Sequence, residues 1–128
     1  MRVLLDTHIF ITAAVEGLEG LSPKTFKLLR DTETERVLSS VSVTEIAIKS
    51  TIGKLPMNSD RVSRALADLG ITLLPYTTAH AMRLFDLPLH HGDPFDRMLI
   101  ATALAEDLLI LSADTLFREY KGLRVIRA

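Results

Sequence analysis

Apolar residues follow two alternating patterns along the chain. Short, nearly continuous apolar runs bounded by polar or turn residues are typical of buried strands. Between these runs, apolar residues recur at helical spacing, and the segments end at glycine or proline. The predicted strands are Arg2–Leu5, Val37–Val41, Ile71–Leu74, Leu108–Leu111 and Arg124–Ile126. The predicted helices are Thr7–Val15, Pro23–Asp31, Ser42–Ile52, Ser59–Leu69, Thr77–Leu87, Pro94–Asp107 and Thr115–Tyr120.

The alternation of strands and helices indicates the fold class. It predicts an α/β protein with a mostly parallel central sheet. Right-handed crossovers place helices on both faces of such a sheet, which gives an α/β/α sandwich. A chain of 128 residues has the size of one domain, so we expect a single domain over residues 1–128. The pattern leaves the order of the strands open.

Composition narrows the classes of function. The chain has no cysteine, which excludes disulfides and thiolate metal sites. The first residues include Asp6 and contain no long apolar run, so we expect no signal peptide, no membrane span and a cytoplasmic location. The net charge of −1 does not by itself indicate a nucleic-acid-binding protein.

Five acidic residues fall at related positions of the predicted elements. Asp6 directly follows the first strand, and Asp114 lies just beyond the fourth. Glu45 is in the first turn of the helix after the second strand, and Asp93 and Asp96 begin the helix Pro94–Asp107. In a parallel α/β sheet, strand C-termini and helix N-termini share one edge, where ligands bind. We therefore expect all five carboxylates at one edge of the sheet.

Carboxylates gathered in this way have a predictable chemistry. They repel one another, which raises their pKa values, and a divalent cation relieves the repulsion. Oxygen ligands without cysteine favour Mg²⁺ or Mn²⁺. Such a site can bind a phosphodiester oxygen and activate a water for in-line attack. One or two ions are compatible with the number of acids.

Each acid, taken alone, also has a purely structural interpretation. Ser42 and Glu45 form the Ser-x-x-Glu pattern of a capping box. Asp93 and Asp114 precede predicted helices and can cap them, and Asp96 suits the positive end of a helix dipole. Asp6 can cap the helix that follows it, although its apolar flanks make a purely structural role hardest to argue there. It is the joint placement of the acids at one edge that favours a functional site.

Four stretches of the sequence resemble the PIN domain family, and specifically the VapC-type toxins of toxin–antitoxin pairs. The stretch LLDTHIF is similar to the opening strand of the family and its first acid, Asp6. The stretch SVTEIAIKSTIGKL is similar to the second block, with Glu45 as its acid. The stretch HHGDPFDRMLIATALAEDLLILSAD is similar to the third and fourth blocks and contributes Asp93, Asp96 and Asp114.

The resemblance implies more than the pattern does. It implies a Rossmann-like, PIN-like α/β/α sandwich and Mg²⁺-dependent endonucleolytic hydrolysis of RNA, with a metal-bound water as nucleophile. It also implies a homodimer and a cognate VapB-type antitoxin as protein partner. Where the family often carries tryptophan, this chain has Thr44, a position that could line the groove and affect substrate preference.

The expected roles of the acids follow from pattern and resemblance together. Asp6 and Asp96 are the expected metal ligands, and Glu45 and Asp114 complete the catalytic site directly or through water. For Asp93, a helix-capping role and a supporting role at the metal remain open.

Five further residues are candidates for a supporting role. Lys49 and Lys54 are expected either to contact the RNA backbone or only to aid solubility. Arg97 is expected to pair with an acid, with a phosphate contact as the alternative. Ser112 can bond to an acid or serve as a turn residue, and His91 can contact phosphate or simply pack in its loop.

Structural roles are expected for the remaining histidines and for the aromatic residues. His8 is expected to pack on the sheet, His80 to be solvated and His90 to be a loop residue. The phenylalanines sit in apolar helical patterns and are expected in the core, namely Phe10, Phe26, Phe85, Phe95 and Phe117.

Two other functions compete with a ribonuclease. A non-catalytic RNA- or protein-binding module would keep the acids for structural reasons and would show no metal dependence. A phosphatase or receiver-like domain could also place an acid such as Asp6 at a strand end. The chain lacks a glycine-rich phosphate loop, however, and its DPFDR stretch has no role in that interpretation.

Overall fold

Five parallel strands form the central sheet of the computed structural model, which describes residues 1–128. Their order across the sheet is β3-β2-β1-β4-β5, and every neighbouring pair is parallel. The direction of winding therefore reverses between β1 and β4, and the predicted α/β fold with a parallel sheet is confirmed. The strands are β1 (Arg2–Leu5), β2 (Glu35–Ser39), β3 (Ile71–Leu74), β4 (Leu109–Ser112) and β5 (Val125–Arg127).

Six α-helices connect the strands. Three short 3₁₀ turns supplement them, at Leu18–Gly20, Leu84–Asp86 and Thr115–Glu119. No helix combines the length and the apolar character needed to cross a bilayer. The helices are α1 (Thr7–Glu16), α2 (Pro23–Arg30), α3 (Ser40–Thr51), α4 (Ser59–Asp68), α5 (Thr78–Arg83) and α6 (Pro94–Glu106).

The core has two apolar clusters, which the alternation of side chains assigns to the two faces of the sheet. Along β1, Val3 and Leu5 belong to one cluster and Leu4 to the other. All three side chains are almost completely buried. Strands covered on both faces read as continuous apolar runs, which explains why the sequence pattern revealed them. The central strand β1 is thus a rigid support for whatever follows its C-terminus.

The junction between β2 and α3 differs from the prediction. The strand ends at Ser39 rather than Val41, and the Ser39 side chain caps α3 by accepting from the Val41 N–H. Ser42 is therefore inside the helix, where its hydroxyl lies 2.9 Å from that of Thr7. The predicted capping box of Ser42 and Glu45 does not form. Glu45 is consequently not needed at the helix N-terminus.

Two side chains of the α5 region also contradict the predictions. His80, expected to be solvated, is completely buried. Its Nδ1 accepts the Thr77 N–H, and its Nε2 lies 2.7 Å from Glu106 Oε1. Phe85, expected in the core, is 83% exposed because the α-helix ends at Arg83 and a 3₁₀ turn follows.

The other aromatic residues and His8 complete the comparison. Phe10 and Phe117 are completely buried, as predicted, whereas Phe26 and Phe95 are half-buried. His8 is exposed instead of packing on the sheet.

Candidate metal centre

The centre is built where the winding of the sheet reverses. Asp6 directly follows β1, and Ser112 is the last residue of the neighbouring strand β4. The Ser112 hydroxyl donates to Asp6 Oδ2 at 2.5 Å, and the Asp114 N–H donates to the Ser112 hydroxyl at 3.0 Å. One serine therefore ties together the ends of two adjacent strands and the acids that follow them.

Asp6 is held in place from two sides. Its Oδ1 accepts the Ile9 N–H at 3.0 Å and caps α1, while Oδ2 accepts from Ser112. The residue is 4% exposed. Burial raises the pKa of Asp6 above its ordinary value, against the opposing effect of the hydrogen bonds from Ser112 and Ile9. The carboxylate is fixed and costly to charge without a cation.

Glu45 reaches the same edge from α3. Its side chain is 4% exposed, and its Oε2 lies 2.6 Å from Lys49 Nζ, one helical turn further on. Its Oε1 is buried and has no hydrogen-bond partner. The hydrogen bond to Glu45 is the main cause of the raised pKa of Lys49, and the charges of Asp93 and Asp96 add to it. Lys49 is thus a positive charge within the acidic cluster.

The first turn of α6 supplies two acids with different tasks. Asp93 caps the helix, because its Oδ1 accepts the N–H groups of Phe95 and Asp96. The Asp96 carboxylate forms no hydrogen bond with another side chain and is 22% exposed. Desolvation, followed by repulsion from nearby acids, raises the pKa of Asp96 from its ordinary 3.8 to about 7. The repelling acids are Asp93, Asp6, Glu45 and Asp114.

A histidine stands beside the acids. His91 Nε2 lies 3.8 Å from Asp96 Oδ2. One ligand atom from each of His91, Asp96 and Asp114 lies within 4.8 Å of the other two. Asp114 also accepts the Leu116 N–H through Oδ1, which caps the turn after β4.

The donor set fits a hard divalent cation. The acids offer carboxylate oxygens at one sheet edge, and one of these, Glu45 Oε1, is buried without a partner. Their repulsion is concentrated on Asp96, and Lys49 provides a positive charge close by. A dication with oxygen ligands is the species that would relieve this repulsion.

Of the predicted supporting residues, some lie in the acidic cluster and others lie away from it. Lys49 lies in the cluster, whereas Lys54 is exposed on the segment after α3. Arg97 does not pair with an acid as expected. Its guanidinium donates to the backbone oxygens of Pro88 and Leu87 and to the hydroxyl of Tyr120, which fixes the loop before α6.

Sequence reasoning missed Tyr120. Its hydroxyl lies 3.0 Å from His91 Nδ1 and also accepts from Arg97. The residue is 2% exposed, so its hydroxyl needs these partners. No local motif marks it, because its partners lie 23 and 29 positions away in the sequence.

A largely apolar cavity lies away from the acids. It has a volume of about 240 Å³ and lies between α3, α4 and the exposed side of β3. Hydrophobic side chains dominate its lining, among them Val43, Ile46, Met57, Val62, Leu66 and Leu73. It has the character of a contact site for apolar groups and is separate from the candidate metal centre.

A five-stranded parallel sheet with carboxylates gathered at its switch point defines the class: an α/β protein of Rossmann-like architecture with an acidic centre. Residues 3–123 match the PIN domain family. The chain belongs to that family, as its motifs predicted. No curated protein sequence matches it.

Several solved structures share the fold over nearly all of their length. The chain is 14% identical to VapBC2 from Rickettsia felis, bound to a DNA fragment from its promoter, with a TM-score of 0.76. That match covers 100% of this chain and 99% of the other. DNA-bound VapBC from Salmonella typhimurium gives 17% identity and a TM-score of 0.65, with coverage of 99% and 98%. VapBC-5 from Mycobacterium tuberculosis gives 19% identity and a TM-score of 0.58, and the match covers 99% of this chain and 98% of the other.

Proposed function

We propose that this protein is a Mg²⁺-dependent endoribonuclease and the toxin of a VapBC-type toxin–antitoxin pair. One observation carries the proposal: acids from four separate parts of the chain gather at the sheet switch point, where burial and then mutual repulsion raise the pKa of Asp96 to about 7. A centre that is electrostatically unfavourable by itself is the expected design for a site that binds a cation. The proposal includes a cytoplasmic location, where an RNA substrate is present.

Four acids are the proposed ligands of the ion, and two further residues hold them in position. Asp6, Glu45, Asp96 and Asp114 would hold Mg²⁺ or Mn²⁺ directly or through water, as one or two ions. When bound, the ion would stabilise negative charge on the phosphodiester and make a water more acidic. Asp93 keeps the first turn of α6 in place by capping it. Ser112 keeps the Asp6 carboxylate directed along the sheet edge.

Basic residues provide the contacts to the RNA backbone in this proposal. Lys49 lies next to Glu45 and can move toward a phosphate once a cation neutralises the acids. Lys54 is exposed one segment further along and can contact a second phosphate. Such contacts give affinity without reading the sequence of the RNA. Arg97 binds the backbone of the loop before α6 and is not assigned a phosphate contact.

A VapB-type antitoxin is the proposed protein partner, and a homodimer the proposed assembly. The solved structures of similar fold are named as VapBC complexes, which supports the first. The apolar cavity between α3 and α4 suits the hydrophobic side chains of a partner segment. Static light scattering of the purified chain, alone and with the antitoxin, measures both assemblies.

Cleavage of RNA by the purified protein tests the activity. We expect cleavage with Mg²⁺ and none with EDTA. Asp6→Asn should lower the rate by about a hundredfold or more, because loss of a metal ligand removes several kcal/mol of transition-state stabilisation. The matched control is Asp68→Asn, an exposed acid of α4 distant from the centre in sequence, which should cleave like the wild type.

Folding must be measured alongside, since Asp6 caps α1. Circular dichroism of both variants provides this check. RNA binding without cleavage at any Mg²⁺ or Mn²⁺ concentration would overturn the proposal and favour the non-catalytic binding module.

A further inference from the structure

His91 has an unusual position for a buried histidine. Its side chain is 9% exposed, yet its Nε2 has no hydrogen-bond partner. That atom faces Asp96 Oδ2 at 3.8 Å, which is too long for a hydrogen bond. A buried polar atom without a partner costs free energy unless something else satisfies it.

The surroundings hold the imidazole in this position. Nδ1 lies 3.0 Å from the Tyr120 hydroxyl, and the ring packs edge-on against Phe117, with centroids 5.7 Å apart. Arg97 joins the same assembly by donating to Tyr120 and to the backbone of the loop that carries His91. Several contacts therefore fix the orientation of Nε2 toward the acids.

We propose that His91, Asp96 and Asp114 together hold a divalent transition-metal ion through one nitrogen and two carboxylate oxygens. The inference rests on the proposed function, because it shares Asp96 and Asp114 with that metal centre. It adds a nitrogen ligand to an otherwise all-oxygen set. It also assigns the imidazole tautomer, since Nδ1–H donating to Tyr120 leaves the Nε2 lone pair free.

The distances support a cation between these three residues. Their ligand atoms lie within 4.8 Å of one another. An ion about 2.0–2.2 Å from each atom would bring opposite ligands to about 4.4 Å or less, which small side-chain rotations achieve. A neutral imidazole alone leaves the charge of Asp96 uncompensated. The nearby ammonium of Lys49 is already bonded to Glu45.

The nitrogen ligand has a consequence for metal preference. Imidazole favours transition-metal ions such as Co²⁺, Ni²⁺ and Zn²⁺ over Mg²⁺, which prefers oxygen. Removing His91 should therefore weaken the binding of a transition metal far more than the binding of Mg²⁺. A supporting loop residue that only packs would not produce this difference between ions.

Co²⁺ is the probe, because its visible absorption reports on its ligands. Calorimetric titrations and absorption spectra compare the wild type with His91→Asn. We expect the variant to bind Co²⁺ about tenfold or more weakly and to show an altered spectrum, while its Mg²⁺ affinity changes by less than about twofold. His90→Asn is the matched control. His90 is the exposed neighbour and supplies no ligand atom, although its ring packs edge-on against Tyr120 with centroids 4.7 Å apart, and the variant should match the wild type in Co²⁺ affinity and spectrum.

The outcomes separate this inference from the proposed function. If His91→Asn binds Co²⁺ like the wild type while Asp96→Asn loses Mg²⁺, the nitrogen ligand is refuted and the oxygen site stands. If the wild type binds no divalent cation, both proposals fail. Tyr120→Phe provides a second route if His91→Asn does not fold. It keeps the imidazole but removes its hydroxyl partner, so Co²⁺ should bind severalfold more weakly, and unchanged affinity would count against the inference.

Discussion

Helix α6 has a buried histidine near each end, and the two differ in one respect. Near the C-terminal end, His80 satisfies both ring nitrogens, one with the Thr77 N–H and the other with Glu106. Near the N-terminal end, His91 satisfies only Nδ1, and its Nε2 faces Asp96. Both side chains are nine-tenths buried or more. Burial therefore does not distinguish the two histidines, whereas the unpaired Nε2 of His91 does.

Removing the paired histidine should give the largest loss of stability. His80→Asn leaves the Thr77 N–H and Glu106 without their partner and opens a cavity between α5 and α6. We expect a loss of about 3 kcal/mol in the free energy of unfolding. Urea denaturation measures it.

The same variant tests the comparison between the two ends of α6. His80→Asn should bind Mg²⁺ and cleave RNA like the wild type once folded, because Glu106 is at the far end of the helix. Loss of metal affinity in the folded variant would mean that the two ends are not independent. His90→Asn, at an exposed histidine that packs edge-on against Tyr120, should change stability by no more than about 1 kcal/mol.

Ser112→Ala should have the next largest effect. The hydroxyl donates to Asp6 and accepts from the Asp114 N–H, so its removal costs about 1–2 kcal/mol. Because this hydrogen bond lowers the pKa of Asp6, the variant should raise that pKa further. The Tm of the metal-free variant should then fall more steeply with rising pH than the Tm of the wild type. An unchanged pH dependence would contradict the role given to Ser112.

Asp96→Asn should change stability in the opposite direction. The pKa of Asp96 is raised to about 7, so the folded protein binds this proton more tightly than the unfolded chain does. The stabilisation is present below pH about 4 and is lost as the pH rises through about 7. Without metal at pH 8, Asp96→Asn should therefore raise Tm by a few degrees and flatten its pH dependence.

Mg²⁺ sharpens this prediction. It should raise Tm of the wild type at pH 8 but not that of Asp96→Asn, because only the wild type gains relief of repulsion. Asp68→Asn is the control and should respond to pH and Mg²⁺ like the wild type. A destabilised Asp96→Asn would show that this carboxylate is structural.

Most of the framework could be predicted from the sequence. The strands were recognisable because both of their faces are covered, and the rule for parallel sheets then put Asp6, Asp114 and the start of α6 at one edge. The sequence predicts Glu45 in the first turn of its helix, but α3 begins at Ser40, so Glu45 lies in the second turn. Three serines, Ser39, Ser40 and Ser42, precede or begin α3, and a capping pattern cannot decide among them when the pairing of β2 with β3 sets the strand end.

What the sequence could not provide depends on distant contacts. The local pattern predicts a solvated His80, but the residue is buried, and its Nε2 lies 2.7 Å from Oε1 of Glu106, 26 positions away. Arg97 looks like a partner for the adjacent acid but is taken by backbone oxygens of the preceding loop. Tyr120 and the orientation of His91 follow from the same tertiary arrangement. Local propensity carries no information about these pairings.

The bond between Ser112 and Asp6 joins residues 106 positions apart. Strand β1 is synthesised long before β4, which is one of its two neighbours in the sheet. The acidic edge therefore cannot assemble on a nascent chain until residues up to Asp114 are free to fold. Any activity that depends on this acidic edge is therefore absent until β4 has been made and has joined the sheet.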